Sequence, residues 1–126
     1  HSAVLSHALK TLGKEKAMLI SDAMPCSASG IKHFKLGDLK ITVEGKKCVT
    51  DDGTLAGSAI TLSEAVTYCI DQLQFSAPDA FQMASLTPSQ FMGLGHLQGS
   101  IEIDKAADFV SRTVDGEIRS IDLTNY

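Results

Sequence analysis

Long apolar runs are missing from this chain of 126 residues. No stretch of about eighteen apolar residues occurs, which excludes a membrane-spanning helix. The opening His1-Ser2-Ala3-Val4 has no charged segment followed by an apolar core, so it does not read as a signal peptide. It also has no initiating Met and does not read as a natural start. Cysteine is sparse: Cys26, Cys48 and Cys69 are odd in number, far apart and without CxxC spacing. That pattern supports neither a disulfide framework nor a zinc knuckle, and reduced thiols in a cytoplasmic setting are the expectation. Cys69 falls in a helical pattern as a small core residue, and Cys26 reads as an inert turn residue rather than a reactive thiol. Positive charge is not in excess, since 11 Lys and Arg face 15 Asp and Glu for a net charge of −4. Nucleic acid is therefore not the expected partner. His1, His7, His33 and His96 form no HxH pair and no i,i+4 pair with a carboxylate, so no metal site is legible within the chain. The lysines are scattered rather than gathered into a phosphate site, and there is no repeat, low-complexity tract or charge block.

What is present is an α/β pattern of ordinary composition, 44% hydrophobic and 21% charged. Ala3 to Leu12 carries Val4, Leu5, Ala8, Leu9 and Leu12 on one helical face, with Gly13 as its stop. Ala17 to Ser21 reads as a buried strand, and Ser27 to Gly30 as a small-residue turn. Phe34–Leu36, Leu39–Glu44 and Lys47–Thr50, punctuated by Gly37, Gly45 and Gly53, predict an antiparallel excursion. Leu62 to Leu73 is helical, with Ala65, Val66, Cys69, Ile70 and Leu73 in one stripe, and Thr61 with Glu64 forms a capping box. Pro78 to Ala84 and Pro88 to Met92 predict helices that open on proline. Ile101–Ile103, Asp108–Thr113 and Glu117–Leu123 alternate like strands, the last two joined by Val114-Asp115-Gly116.

One position in this pattern points to chemistry. A short apolar run, Ala17 to Ile20, ends through Ser21 on Asp22, which is followed at once by a Pro-terminated turn at Met24-Pro25, so Asp22 stands at the mouth of a strand. In α/β barrels that is where reacting groups sit. Taken alone, the same Asp reads first as the start of a turn or a helix cap. The segment Asp52-Gly53-Thr54-Leu55-Ala56-Gly57-Ser58 has Gly near both ends and little bulk between. This composition suits close backbone approach to a ligand, but taken alone it reads first as an ordinary turn leading into a capped helix.

Four segments in register decide between these readings. Ser21-Asp22-Ala23-Met24, Asp52 to Ser58, Ala84 to Leu94 and Gly99 to Val110 closely resemble, in order and spacing, the carboxyl-terminal part of the N-acetylglucosamine-6-phosphate deacetylases. That family belongs to the amidohydrolase superfamily. The departures are Asp104 where Gly is usual, bulkier residues at Phe91 and Met92, and Ser111 where an aliphatic is usual. Asp104 argues against a left-handed turn there.

The resemblance implies a fold and a chemistry. The chain would be the carboxyl-terminal part of a (β/α)8 barrel plus strands of a small β-sandwich. Residues 1–98 would end the barrel, with a β excursion at about 30–50, and residues 99–126 would supply the sandwich strands. A barrel needs roughly 200 residues or more, so this chain does not close one alone. The activity implied is hydrolysis of N-acetylglucosamine 6-phosphate to glucosamine 6-phosphate and acetate, with Asp22 as general base and then acid. Leu55, Ala56 and Gly57 would cover the sugar. A divalent metal, zinc or iron, would be held by a Glu and two His upstream of this chain. The family's sugar- or phosphate-contacting His falls one residue before His1, so His1 is not assigned to it. The expected partners are the small amino-sugar phosphate, the upstream part of the same enzyme and a second copy in a homo-oligomer, with no nucleic acid or membrane. The alternatives are another amidohydrolase such as a cyclic amidase, against which the Asp52–Ser58 loop argues, and a catalytically silent folding or oligomerisation unit.

Overall fold

The structure, a computed structural model, describes residues 1–123. The chain divides into two compact units, His1–Leu19 with Val66–Tyr126, and Ile20–Ala65.

The first unit is helical with one hairpin. Helix α1 (Ser2–Leu12) ends at Gly13, whose φ of 77 takes the chain out of the helix. Of its predicted apolar face only Leu9 is buried, while Val4 and Leu12 remain 69% and 54% exposed. Helix α3 (Leu62–Asp71) begins in the second unit and supplies Val66 and Cys69 to the core of the first, where Leu73 joins them. Helix α4 (Ala77–Ala84) adds Ala80 and Met83, and its N-terminus is capped by Ser76 accepting from the Asp79 N–H. Helix α5 (Leu86–Phe91) follows directly. Two polar contacts fasten the stretch after α1: Lys14 Nζ lies 2.6 Å from Asp79 Oδ1, and Thr87 Oγ1 donates to the Lys14 carbonyl at 2.6 Å. Strands β5 (Phe109–Arg112) and β6 (Ile118–Ile121) pair as an antiparallel hairpin. Ile118 packs on the helical core, and Arg112 reaches Asp71 at 3.3 Å.

The second unit is a four-stranded antiparallel meander, β1 (His33–Leu36), β2 (Leu39–Glu44), β3 (Lys47–Thr50) and β4 (Leu55–Ser58), in that spatial order. The first three strands fall where the glycine-punctuated runs predict. Two-residue turns join them, with Gly37 and Gly45 at φ 60 and 63, conformations open to glycine. The register puts Phe34 opposite Ile41, Val43 opposite Cys48, and Cys48 opposite Gly57. Because side chains alternate across a strand, these residues line one face. Onto that face pack Met24 and the short helix α2 (Cys26–Ser29), through Cys26. The capping box at the start of α3 forms in both directions: Thr61 N–H donates to Glu64 Oε2 at 2.9 Å, and Glu64 N–H to Thr61 Oγ1 at 3.2 Å.

Several expectations are corrected. Ala17–Ser21 is extended but belongs to no sheet, and only Ala17 is buried, with Ile20 77% exposed. A strand needs a ladder partner, and among the described residues this segment has none: Leu19 N–H donates to the Met83 carbonyl at 3.0 Å, and its other bonds go to Gly13 and to the Ser58 hydroxyl. Ile101–Ile103 forms no strand either: both isoleucines are exposed and the chain turns through Asp104. Asp104 itself adopts φ 69, the left-handed geometry usual for the glycine it replaces, which Asp tolerates better than most residues. Ser27–Gly30 is largely α2 rather than a turn. The second half of the Asp52–Ser58 loop is strand β4. Cys26 and Cys48, distant in sequence, meet in the core of the second unit. Among the described residues no helix is long and apolar enough to cross a membrane.

Candidate active site

The candidate site residues all lie in the second unit, and the structure brings them together. After leaving the first unit the chain docks beside β4. Ser58 N–H donates to the Asp22 carbonyl at 3.0 Å, and Met24 N–H donates to the Ser58 carbonyl at 2.9 Å. These two bonds make Ala23 and Ser58 a parallel bridge. The Ser58 hydroxyl donates to the Ser21 carbonyl, clamping the other side of Asp22. Asp22 is thus held by backbone contacts on both flanks.

Its conformation is unusual. Asp22 has φ 47, in the left-handed region, where non-glycine residues are uncommon and which Asp visits more readily than most. The side chain is exposed, and among the described residues its carboxylate takes part in no hydrogen bond or ion pair. A rigidly placed backbone carrying an unpaired carboxylate is the arrangement a proton-transfer group needs, because its oxygens stay available to an incoming ligand.

Leu55, Ala56 and Gly57 sit at an irregularity in the β3–β4 ladder. Cys48 pairs with Gly57 but Val49 with Leu55, so Ala56 is the extra residue of a bulge. Bulges re-aim side chains and are frequent beside functional sites. Leu55 is 67% exposed and Ala56 half-buried. Gly57 is buried, and a Cβ there would stand 2.7 Å from Met24 Cγ and 3.3 Å from the Asp22 carbonyl oxygen. The space a side chain would take at Gly57 is therefore filled by Met24 and the backbone of Asp22.

The turn before β4 is locked by Asp52, which the sequence reading treated only as part of the loop. Its Oδ1 accepts from the Thr54 N–H at 3.1 Å and from the Thr50 hydroxyl. The Thr50 hydroxyl, followed by the Thr54 N–H, holds the Asp52 carboxyl below its ordinary value. An Asp two residues before a Thr in a glycine-containing turn is the sequence signal for this lock. Asp52 fixes the turn that presents Leu55.

No group of three or more His, Cys, Asp or Glu placed to hold a metal ion occurs among the described residues. His1 caps α1, its Nδ1 accepting from the Ala3 N–H at 3.3 Å. His33 Nδ1 lies 3.3 Å from Thr42 Oγ1, and His7 and His96 are exposed. A cavity of about 570 Å³ lies in the first unit among residues including Phe81, Met92, Ile101 and Phe109. It contains none of the candidate residues.

With this geometry in hand, comparison with known proteins is informative. The Amidohydrolase family model matches residues 6–121, and the chain belongs to that family. It is 36% identical over 103 residues to N-acetylgalactosamine-6-phosphate deacetylase of Shewanella sp. (strain ANA-3), covering 82% of this chain and 26% of that protein. It is 31% identical to N-acetylglucosamine-6-phosphate deacetylase of Vibrio furnissii, covering 94% of this chain and 29% of that one. The structure superposes on the crystal structure of N-acetylglucosamine-6-phosphate deacetylase from Pasteurella multocida with a TM-score of 0.87 at 26% identity. That match covers 93% of this chain and 31% of the other. The chain thus spans under a third of the length of each of these relatives.

Proposed function

We propose that this chain is the carboxyl-terminal portion of an amino-sugar 6-phosphate deacetylase, with N-acetylglucosamine 6-phosphate as substrate and Asp22 as the proton-transferring carboxylate. The observation that carries the proposal is the clamped, left-handed Asp22 with its free carboxylate, one strand-end away from the bulge at Leu55–Gly57. The names of the relatives support the substrate class, and they include both the gluco and the galacto epimer. In this reading residues 1–98 complete the end of a (β/α)8 barrel and residues 99–126 contribute to a β-sandwich. The unpaired segment Ala17–Ile20, with Met18 and Ile20 exposed, and the exposed face of α1 support it, since barrel neighbours would cover both.

Among the described residues no group of three or more His, Cys, Asp or Glu is gathered as metal ligands. The divalent metal implied by the family resemblance, zinc or iron, would take its ligands, a Glu and two His, from the upstream part of the enzyme. The work of this chain is the movement of a proton. The Asp22 carboxylate accepts the proton of the attacking water as oxygen adds to the acetamide carbon. It then returns that proton to the nitrogen as the C–N bond breaks, releasing acetate and the amino sugar. Leu55 and Ala56 present a small apolar surface to the sugar, and Gly57 keeps the strand close to Asp22.

The test is Asp22→Asn in the complete enzyme, assayed with both epimers. Turnover falls by roughly 10² or more while the melting transition and metal content stay as in the parent. Near-normal turnover at neutral pH removes the catalytic assignment. A preference for the galacto epimer removes the substrate assignment and leaves the reaction.

A further inference from the structure

The second unit holds a pair of thiols that the deacetylase reading does not use. Cys26, the first residue of α2, and Cys48, in the middle of β3, place their sulfurs 3.2 Å apart although 22 residues separate them. Both are free thiols. Cys48 has no exposed surface and Cys26 has 5%, and Ile41, Met24, Phe34 and Val43 surround them. Burial, followed by the neighbouring Cys26 thiol, pushes the Cys48 thiol from its ordinary 9.0 up to about 11. Cys48 is therefore protonated at neutral pH, and Cys26, the less deeply buried of the two, is the first to meet an oxidant.

We propose that Cys26 and Cys48 are a modification site, a dithiol that hydrogen peroxide converts into an intrachain disulfide joining α2 to β3. The sulfurs need to close by roughly 1 Å to reach the S–S distance of about 2.05 Å. The balance is two-electron. The Cys26 sulfur attacks one peroxide oxygen, the O–O bond breaks, and sulfenic acid forms at Cys26 with release of water. The Cys48 sulfur then attacks the Cys26 sulfur, the S–O bond breaks, and a second water leaves with the Cys48 proton. Two thiols are oxidised to one disulfide, and one hydrogen peroxide is reduced.

The position of the bond gives it a consequence. Cys26 follows Asp22 by four residues, and Cys48 faces Gly57 across the β3–β4 ladder. Oxidation ties the segment that carries Asp22 to the sheet face that supports the bulge. Where the surroundings keep thiols reduced, such a bond is transient, as expected of a redox-responsive clamp. The inference stands on the thiol geometry and does not depend on the deacetylase assignment.

The test treats the full chain with hydrogen peroxide, alkylates it in denaturant and maps the peptides by mass. Cys69, buried in the first unit, serves as the internal reference. The expected result is one linked peptide pair, Cys26 to Cys48, lighter by two hydrogens and restored by dithiothreitol, with Cys69 alkylated. In Cys48→Ser the Cys26 sulfenic acid persists and is trapped by dimedone, at a yield several-fold above that of the parent. Alkylation of Cys26 and Cys48 after oxidation overturns the proposal. So do linkages to Cys69 or to a second chain, or equal dimedone yields in both proteins.

Discussion

Gly57 is packed against Met24 so closely that the first atom of any side chain at Gly57 would stand 2.7 Å from Met24 Cγ and 3.1 Å from its sulfur. Gly57 lies on the inner face of β4, opposite Cys48, and Met24 covers that face two residues after Asp22. The missing side chain is thus what lets the Asp22 segment lie along β4.

From this contact, Gly57→Ala destabilises the second unit by about 1–3 kcal/mol, the usual range for overpacking. Met24→Ala in the same chain opens the needed space, so the double variant is less destabilised than the sum of the two single changes. Urea titration of all four proteins measures the coupling. Additive effects would show that Met24 is not what Gly57 accommodates.

The capping box makes a separate claim on stability. Thr61→Ala leaves the Glu64 N–H without its partner and lowers stability by about 1 kcal/mol. The Glu64 carboxyl is held below its ordinary 4.5 by the Thr61 backbone N–H and, after that, by Lys46. A depressed carboxylate stabilises above its ordinary value, and that contribution is lost as pH falls through the folded value. Acid titration followed by helical circular dichroism therefore shows a shallower loss below pH about 4.5 in Glu64→Gln than in the parent. Coincident curves refute the assignment.

Cys48 makes the opposite claim at alkaline pH. Its thiol is raised from 9.0 to about 11 by burial and by Cys26, so folding favours the protonated form. The corresponding stability is complete below pH 9.0 and drains away as pH rises through about 11. In the reduced chain the melting midpoint falls across this window, and in Cys48→Ser it falls less. A parallel decline in both proteins would assign the alkaline loss elsewhere.

The exposed apolar side chains of α1 and of Ile20 predict self-association of the isolated chain. Light scattering finds an oligomer, and metal analysis of the same sample finds no stoichiometric zinc or iron. A compact monomer with one bound zinc per chain overturns both parts.

Sequence and structure divide the information along physical lines. Signals confined to a few neighbouring residues were legible: Gly13 ends α1, Thr61 and Glu64 start α3, and glycines at 37 and 45 set two hairpins. Each is a local choice of backbone geometry that the side chains make without distant help. The strand expected at Ala17–Ser21 is different. Its composition suits a strand, but its ladder needs another segment, and the described residues offer it no sheet. Ile101–Ile103 fails for the same reason: alternation says which face is apolar, not whether anything lies against it.

The candidate site divides in the same way. Asp22, Leu55, Ala56 and Gly57 were named as candidates from the resemblance of four short segments in register, a signal of residue type and order along the chain. Tertiary structure alone decided that Ser58 clamps the Asp22 backbone from both sides and that Ala56 is a bulge residue. It also decided that Met24 fills the space beside Gly57 and that Cys26 meets Cys48. Apart from the bulge, these contacts join positions more than 20 residues apart, and they arise only when an apolar sheet face must be covered and the returning chain is what covers it.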